Sequence, residues 1–194
     1  TLADKVEAAT ILGVVQSTLT DFSFLDDEWK RNCEEERLLG VSLTGLADHP
    51  TLGKVSVASA GLLGYLKEVA QETARKWEAI LHINIPTAIT AVKPSGTVSQ
   101  LVWSASGMHA RYAPYYIRTV RTDITDPITQ FLRDKGVPCH PEVGQDWATC
   151  STVVFDFPVK APSSSVLRKD RTAIQQLEYW KMIRLDWCEH NPSC

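Results

Sequence analysis

The chain has 194 residues, 44 % of them hydrophobic and 22 % charged, with a formal net charge of −3. That supplies apolar material for one packed domain; the weakly acidic balance argues against a nucleic-acid coat or a polybasic membrane anchor, yet allows a locally positive site for a small anion. No apolar run reaches the roughly 18 residues of a membrane span and no secretory leader pattern is read at the start, so a cytoplasmic protein with no nucleic-acid and no membrane partner is expected.

In chain order, the pattern predicts a helix over residues 3–20 with Val6, Ala9, Leu12 and Val15 on its buried face. A shorter charged helix follows over 26–37, with Glu34-Glu35-Glu36 as a solvated end. Residues 38–46 (LLGVSLTGL) read as a buried strand closing in a tight turn. A helix is predicted over 57–81, where Leu63, Leu66, Ala70, Ala74, Trp77 and Leu81 form one stripe. Residues 88–92 read as a short strand, 97–103 as a short helix and 115–121 (YYIRTVR) as a strand with Arg118 on a solvated face. Thr125-Asp126-Pro127 signals a helix start, with Ile128, Phe131 and Leu132 inward and Gly136 as the stop. A strand over 152–157 is ended by Pro158, 161–165 is a loop, and a last helix over 170–190 buries Ile174, Leu177, Trp180, Ile183 and Trp187. Strands alternating with helices predict an α/β layer or barrel with mostly parallel strands. No repeat or domain boundary is read, so residues 1–194 are taken as a single domain.

Five cysteines, Cys33, Cys139, Cys150, Cys188 and Cys194, stand at wide spacings without a C-x-x-C pair. Neither a zinc site nor a thioredoxin-like motif is signalled, and reduced thiols are expected. Cys188-Glu189-His190 could suggest a metal corner, but packing roles are the expectation, and no metal site is assigned.

The segment with chemical potential is residues 93–101 (KPSGTVSQL), a strand-to-helix turn. The first N–H groups of a helix have no partner inside it and suit a phosphate. Gly96 removes the Cβ that would keep a phosphate oxygen from the backbone; Ser95, Thr97 and Ser99 bring hydroxyls; Pro94 stiffens the entry. The dipole contribution is about 0.3–2 kcal/mol, so several N–H bonds must share the work. The same pattern also occurs as a plain capped turn. Neither a Walker loop nor a G-x-G-x-x-G turn is present.

KPSGTVSQL, followed by SASGMHARYAPYYIRTVR (104–121), resembles the large catalytic chain of ribonucleotide reductases, most closely the adenosylcobalamin-dependent class. LLGVSLTGLAD (38–48), STVVFDFPVKAP (151–162) and QLEYWKMIRLDWCEHNPSC (176–194) agree in order along the chain. The resemblance implies a ten-stranded α/β barrel of two parallel halves, with these residues as a partial catalytic-barrel domain from the second half. It implies that Pro94, Ser95, Gly96, Thr97, Val98 and Ser99 bind the substrate phosphates, Val98 through its N–H alone. It further implies conversion of ribonucleotides to deoxyribonucleotides by thiyl-radical chemistry, a ribonucleoside di- or triphosphate substrate, a thioredoxin-like reductant, and adenosylcobalamin as cofactor with contacts unassigned. The family's N-P-C-G-E motif and its earlier cysteine segment are absent from these residues. No catalytic role therefore goes to the five cysteines, and the 194 residues are expected to be a fragment, inactive alone. His109 is expected to pin its own loop. Two alternatives stand beside this reading: the large subunit of the di-metal class, and a nucleotide- or phosphate-binding module without chemistry.

Overall fold

A computed structural model describes residues 1–193; the expectations placed on Cys194 lie outside the described residues. The chain divides into two compact units, one made of Thr1–Arg111 with Ser164–Cys194 and the other of Tyr112–Ser163. The secondary structure is mixed α/β.

The first unit holds helix α1 (Leu2–Gln16), α2 (Asp27–Glu36) and α3 (Val57–Leu81), each started by a capping side chain: Thr1, Asp26 and Ser56. These caps satisfy N–H groups that a helix start leaves unpaired. Strands β1 (Val41–Ser42) and β2 (Thr90–Ala91) pair in parallel, with Val41 opposite Thr90. The short helix α4 (Val98–Leu101) follows β2. Leu63, Leu66, Ala70 and Ala74 of α3 form the predicted stripe and pack with Val6, Val14, Val92, Met108, Ile183 and Trp187. Trp77 and Leu81 lie at the border of that core.

Several expectations are corrected here. The buried face of α1 is Val6, Thr10 and Val14, while Leu12 and Val15 are exposed. A threonine can join the stripe because its hydroxyl donates to the Val6 carbonyl at 2.8 Å, leaving no polar group unpaired. The expected long strand over 38–46 is two residues only; Gly45 at φ 75° turns the chain into a 3₁₀ turn at Leu46–Asp48.

The last helix of this unit is α6 (Ala173–Asp186), and it buries Tyr179, Met182 and Ile183, whereas Ile174 and Leu177 are exposed. Tyr179 is drawn in by its hydroxyl, which donates to the Leu52 carbonyl at 2.7 Å, and by Arg171 stacked 3.8 Å from its ring centre. Burial pushes the Tyr179 phenol up to about 12.

Residues after α6 stitch the strands rather than continue the helix. Trp187 Nε1 donates to Ala91 O at 2.7 Å, and Thr90 Oγ1 donates to Trp187 O at 2.5 Å. The Glu189 carboxylate accepts the Ile89 N–H at 2.6 Å and Gln71 Nε2 at 2.5 Å. His190 Nε2 lies 2.7 Å from Leu39 O. Packing thus accounts for Cys188-Glu189-His190; burial pushes the Cys188 thiol up to about 11, which keeps it protonated.

The second unit is a three-stranded sheet, not the parallel arrangement expected from alternation. Strands β3 (Tyr115–Asp123), β4 (Cys139–Pro141) and β5 (Thr152–Lys160) lie in the order β3-β5-β4, all antiparallel. Periodicity along one strand carries no information on its partner's direction. Pro158 does not end β5. Asp156 N–H points toward the β4 side, to Pro138 O, and the same side at residue 158 lies beyond the β4 pairing, so a missing N–H costs no ladder bond. Helix α5 (Pro127–Asp134) starts on Asp126 as read, but Thr129 is its buried residue and Ile128 and Phe131 are exposed. Thr129 Oγ1 donates to Asp123 O at 2.7 Å. Leu132 packs against Cys150, Val153 and Phe155. On β3, Ile117 is exposed and Arg118 half-buried, the reverse of the expectation.

The corrected face of α6 gives a direct test. Ile183→Ala, at 0 % exposure, should lower stability by about 2–5 kcal/mol. Leu177→Ala, at 63 % exposure, should change it by less than about 0.5 kcal/mol. Urea denaturation followed by far-UV circular dichroism measures both.

Candidate phosphate-binding turn

The six residues singled out from sequence run from the turn after β2 into the first two residues of α4. Pro94, Gly96, Thr97 and Val98 are exposed, Ser95 is half-buried and Ser99 is buried. Among the described residues, the N–H groups of Thr97 and Val98 donate to no protein acceptor, so they face solvent. A Cβ placed on Gly96 would meet nothing within 4 Å, which leaves the approach to the backbone open. Since α4 has four residues, its dipole is weak, and any anion here depends on individual N–H and O–H donors.

Other polar groups of the turn are engaged inside the protein. Ser95 N–H donates to Ser106 Oγ at 2.9 Å, and Ser95 Oγ lies 2.7 Å from Thr44 Oγ1. Ser99 Oγ donates to Ser95 O, closing the turn on itself. Lys93 N–H donates to Ser42 Oγ at 3.1 Å.

Two neighbouring loops seat this turn. Gly107, at φ 50°, lets its loop approach so closely that a Cβ would stand 2.7 Å from Lys93 O. Gly107 N–H donates to Thr44 Oγ1 at 3.0 Å, and Gly45 N–H donates to Ala105 O at 2.8 Å. His109 Nδ1 sits 3.1 Å from Ser106 O, so the histidine pins its own loop as expected. Thr44, Ser106 and Gly107 were not singled out from sequence; each is small or hydroxylic in a loop, a type too common to signal a role without the contacts.

A buried ion pair underlies these loops. Arg111 Nε and Nη2 donate to the two Asp48 oxygens at 3.0 and 2.7 Å, with side-chain exposures of 5 % for Arg111 and 14 % for Asp48. Asp48 also accepts the Ala105 N–H at 2.6 Å and Ser165 Oγ at 2.7 Å. Arg111 Nη2 reaches Trp103 O at 3.0 Å, holding a tryptophan whose φ of 54° is costly for a bulky residue. Burial alone would raise the Asp48 carboxyl. The hydrogen bonds from Arg111, Ser165 and Ala105, with the Arg111 charge, outweigh burial and hold it below its ordinary value. Sequence gave Arg111 no such role.

No family model matches the chain. Curated relatives do. The adenosylcobalamin-dependent ribonucleoside-triphosphate reductase of Levilactobacillus brevis is 27 % identical over 98 % of this chain and 29 % of its own length. That of Lactobacillus gasseri is 29 % identical over 74 % of this chain and 22 % of its own. A crystal structure of a B12-dependent (class II) ribonucleotide reductase superposes with a TM-score of 0.74 at 20 % identity, over 85 % of this chain and 26 % of that one.

The chain is similar in sequence and fold to adenosylcobalamin-dependent ribonucleotide reductases.

It spans less than a third of the length of these relatives. The structural likeness is one of fold, and the motif resemblance read from residues 38–48, 93–121, 151–162 and 176–194 agrees with the relatives' shared name.

Replacing Asp48 tests the ion pair. At neutral pH, Asp48→Asn should destabilise the chain by about 3–5 kcal/mol, because it takes the counter-charge from a buried guanidinium. A carboxyl held below its ordinary 3.8 lends stability that is complete above that value and fades as pH falls through the lower, folded-state value. The gap between wild type and Asp48→Asn should therefore be constant from pH 7 to about 5 and narrow below 3.8, as read from denaturation midpoints across pH.

Proposed function

We propose that these residues are the substrate-phosphate-binding part of an adenosylcobalamin-dependent ribonucleotide reductase, contributing to conversion of ribonucleoside triphosphates to deoxyribonucleotides. The observation that carries it is the exposed turn at Gly96, Thr97 and Val98, with N–H groups at Thr97 and Val98 that no protein acceptor takes up and open space where a Gly96 Cβ would stand. Pro94 shapes its entry, while Ser95 and Ser99 brace it from within. We read residues 1–194 as one partial catalytic-barrel domain in which β1 and β2 are neighbouring barrel strands.

The relatives' name also brings the cofactor into this reading. When bound, adenosylcobalamin supplies the radical that starts the chemistry. Beside the turn, Val98, Leu101, Val102 and Trp103 are all exposed, Trp103 at 61 %, and such an apolar rim suits the broad face of a ring system. No residue here is assigned as a metal ligand. The thiol steps belong to cysteines outside these residues: Cys150 and Cys188 are buried, and none of the described cysteines lies in the turn. A thioredoxin-like reductant and a cytoplasmic setting follow from the same reading.

Two outcomes check it. Gly96→Val should leave the unfolding midpoint unchanged, since a Cβ there meets open space, yet abolish the response of the Thr97 and Val98 amides to a ribonucleoside triphosphate in ¹⁵N NMR titration. An unaltered response would remove the phosphate assignment. Separately, the 194-residue polypeptide mixed with adenosylcobalamin, a ribonucleotide and a dithiol should form no deoxynucleotide above background; turnover would show that the thiol chemistry resides in these residues after all.

A further inference from the structure

A hydroxyl carries one hydrogen and can accept through two lone pairs. Thr44 Oγ1 donates to Ala105 O at 3.1 Å, accepts the Gly107 N–H at 3.0 Å, and lies 2.7 Å from Ser95 Oγ. Either hydroxyl can supply the hydrogen between them; when the single Thr44 hydrogen goes to Ala105 O, it comes from Ser95. The Ser95 N–H is committed as well, to Ser106 Oγ. In this order Ser95 has no hydrogen left for an anion, although its hydroxyl sits in the turn.

We propose that Thr44 is a positioning residue for the phosphate turn, acting as a two-state hydrogen relay that frees the Ser95 hydroxyl to donate when a phosphate oxygen arrives. The inference rests on the phosphate reading above. In the bound order the Thr44 hydroxyl rotates from Ala105 O to Ser95 Oγ, and Ser95 turns its hydrogen to the phosphate. Both protons stay on their own oxygens; only the two torsions change. The contact between Thr44 and Ser95 persists in both orders with its direction reversed, so the turn remains tied to the loop after Ser42. Thr44 keeps the Gly107 N–H throughout. Ala105 O gives up one hydrogen bond but keeps the Gly45 N–H at 2.8 Å, so no buried acceptor is orphaned. In exchange Ser95 gains a charge-assisted bond, which is the stronger kind. The relay also selects the ligand's chemistry: it rewards an anionic oxygen that accepts, and offers nothing to a donor.

The test is NMR titration of the 194-residue chain with inorganic triphosphate, following the Thr97 and Val98 amides and the Ala105 carbonyl carbon. In wild type all three should respond, the carbonyl because it loses the Thr44 bond. Thr44→Val and Ser95→Ala should each keep the amide response and lose that of the Ala105 carbonyl; Thr44→Ser should keep both. Ser95→Ala should also weaken triphosphate binding about tenfold, the scale of one hydrogen bond to a charged group. The relay is overturned by amides that respond in wild type without the carbonyl, or by a carbonyl response that survives in either variant. If the wild-type amides do not respond at all, the phosphate reading fails and the relay with it. Should Thr44→Val not fold, Ser95→Ala decides alone, since it leaves the Thr44 bonds to Ala105 and Gly107 in place.

Discussion

The Asp48–Arg111 pair is the constraint on which the rest of the site depends. Asp48 closes the 3₁₀ turn after Gly45, and Arg111 is the last residue before the chain leaves the first unit. Ser164 and Ser165, where the chain returns, donate to the Asp48 carbonyl and carboxylate. One carboxylate therefore gathers three separate stretches of backbone. A buried pair of this kind adds little net stability over apolar side chains of the same size, yet losing one partner is costly. Its consequence here is geometric: it sets where residues 103–107 can lie.

That placement reaches the turn through short polar links. Ala105 N–H is held by Asp48, Trp103 O by Arg111, and between them the loop carries Ser106 and Gly107 to the underside of residues 93–95. The approach is close enough that only glycine fits at 107, against Lys93 O. The inner surface of the turn is saturated with hydrogen bonds, while the outer N–H groups at Thr97 and Val98 remain directed to solvent. Such an arrangement, rigid inside and unsatisfied outside, is what a preorganised anion site requires, because little ordering is left to be done when the ligand arrives.

Much of this was legible along the chain. Helix α3 falls on the span its periodicity predicts, Asp126 caps α5 as its sequence signals, and the turn after Val92 lies between strand and helix as read. The errors share a cause. Thr10 and Thr129 are buried through hydroxyl bonds to their own backbone, which a hydropathy stripe counts as polar. Ile174 and Leu177 fit an apolar face on α6 but meet no partner element. Within the turn, the residue types pointed to an anion, whereas the engagement of Ser95 by Thr44 and Ser106, 51 residues before it and 11 after it, did not show.

The sequence by itself determined the helices, their caps, the strand-to-helix turn and the kinship of its motifs, because these rest on residues a few positions apart. Tertiary structure alone decided the antiparallel order of β3, β5 and β4, the partner of Arg111, and the engagement of Ser95 by Thr44 and Ser106. Strand direction, charge pairing and hydrogen-bond partners are set by groups brought together from distant parts of the chain, and no local pattern encodes them.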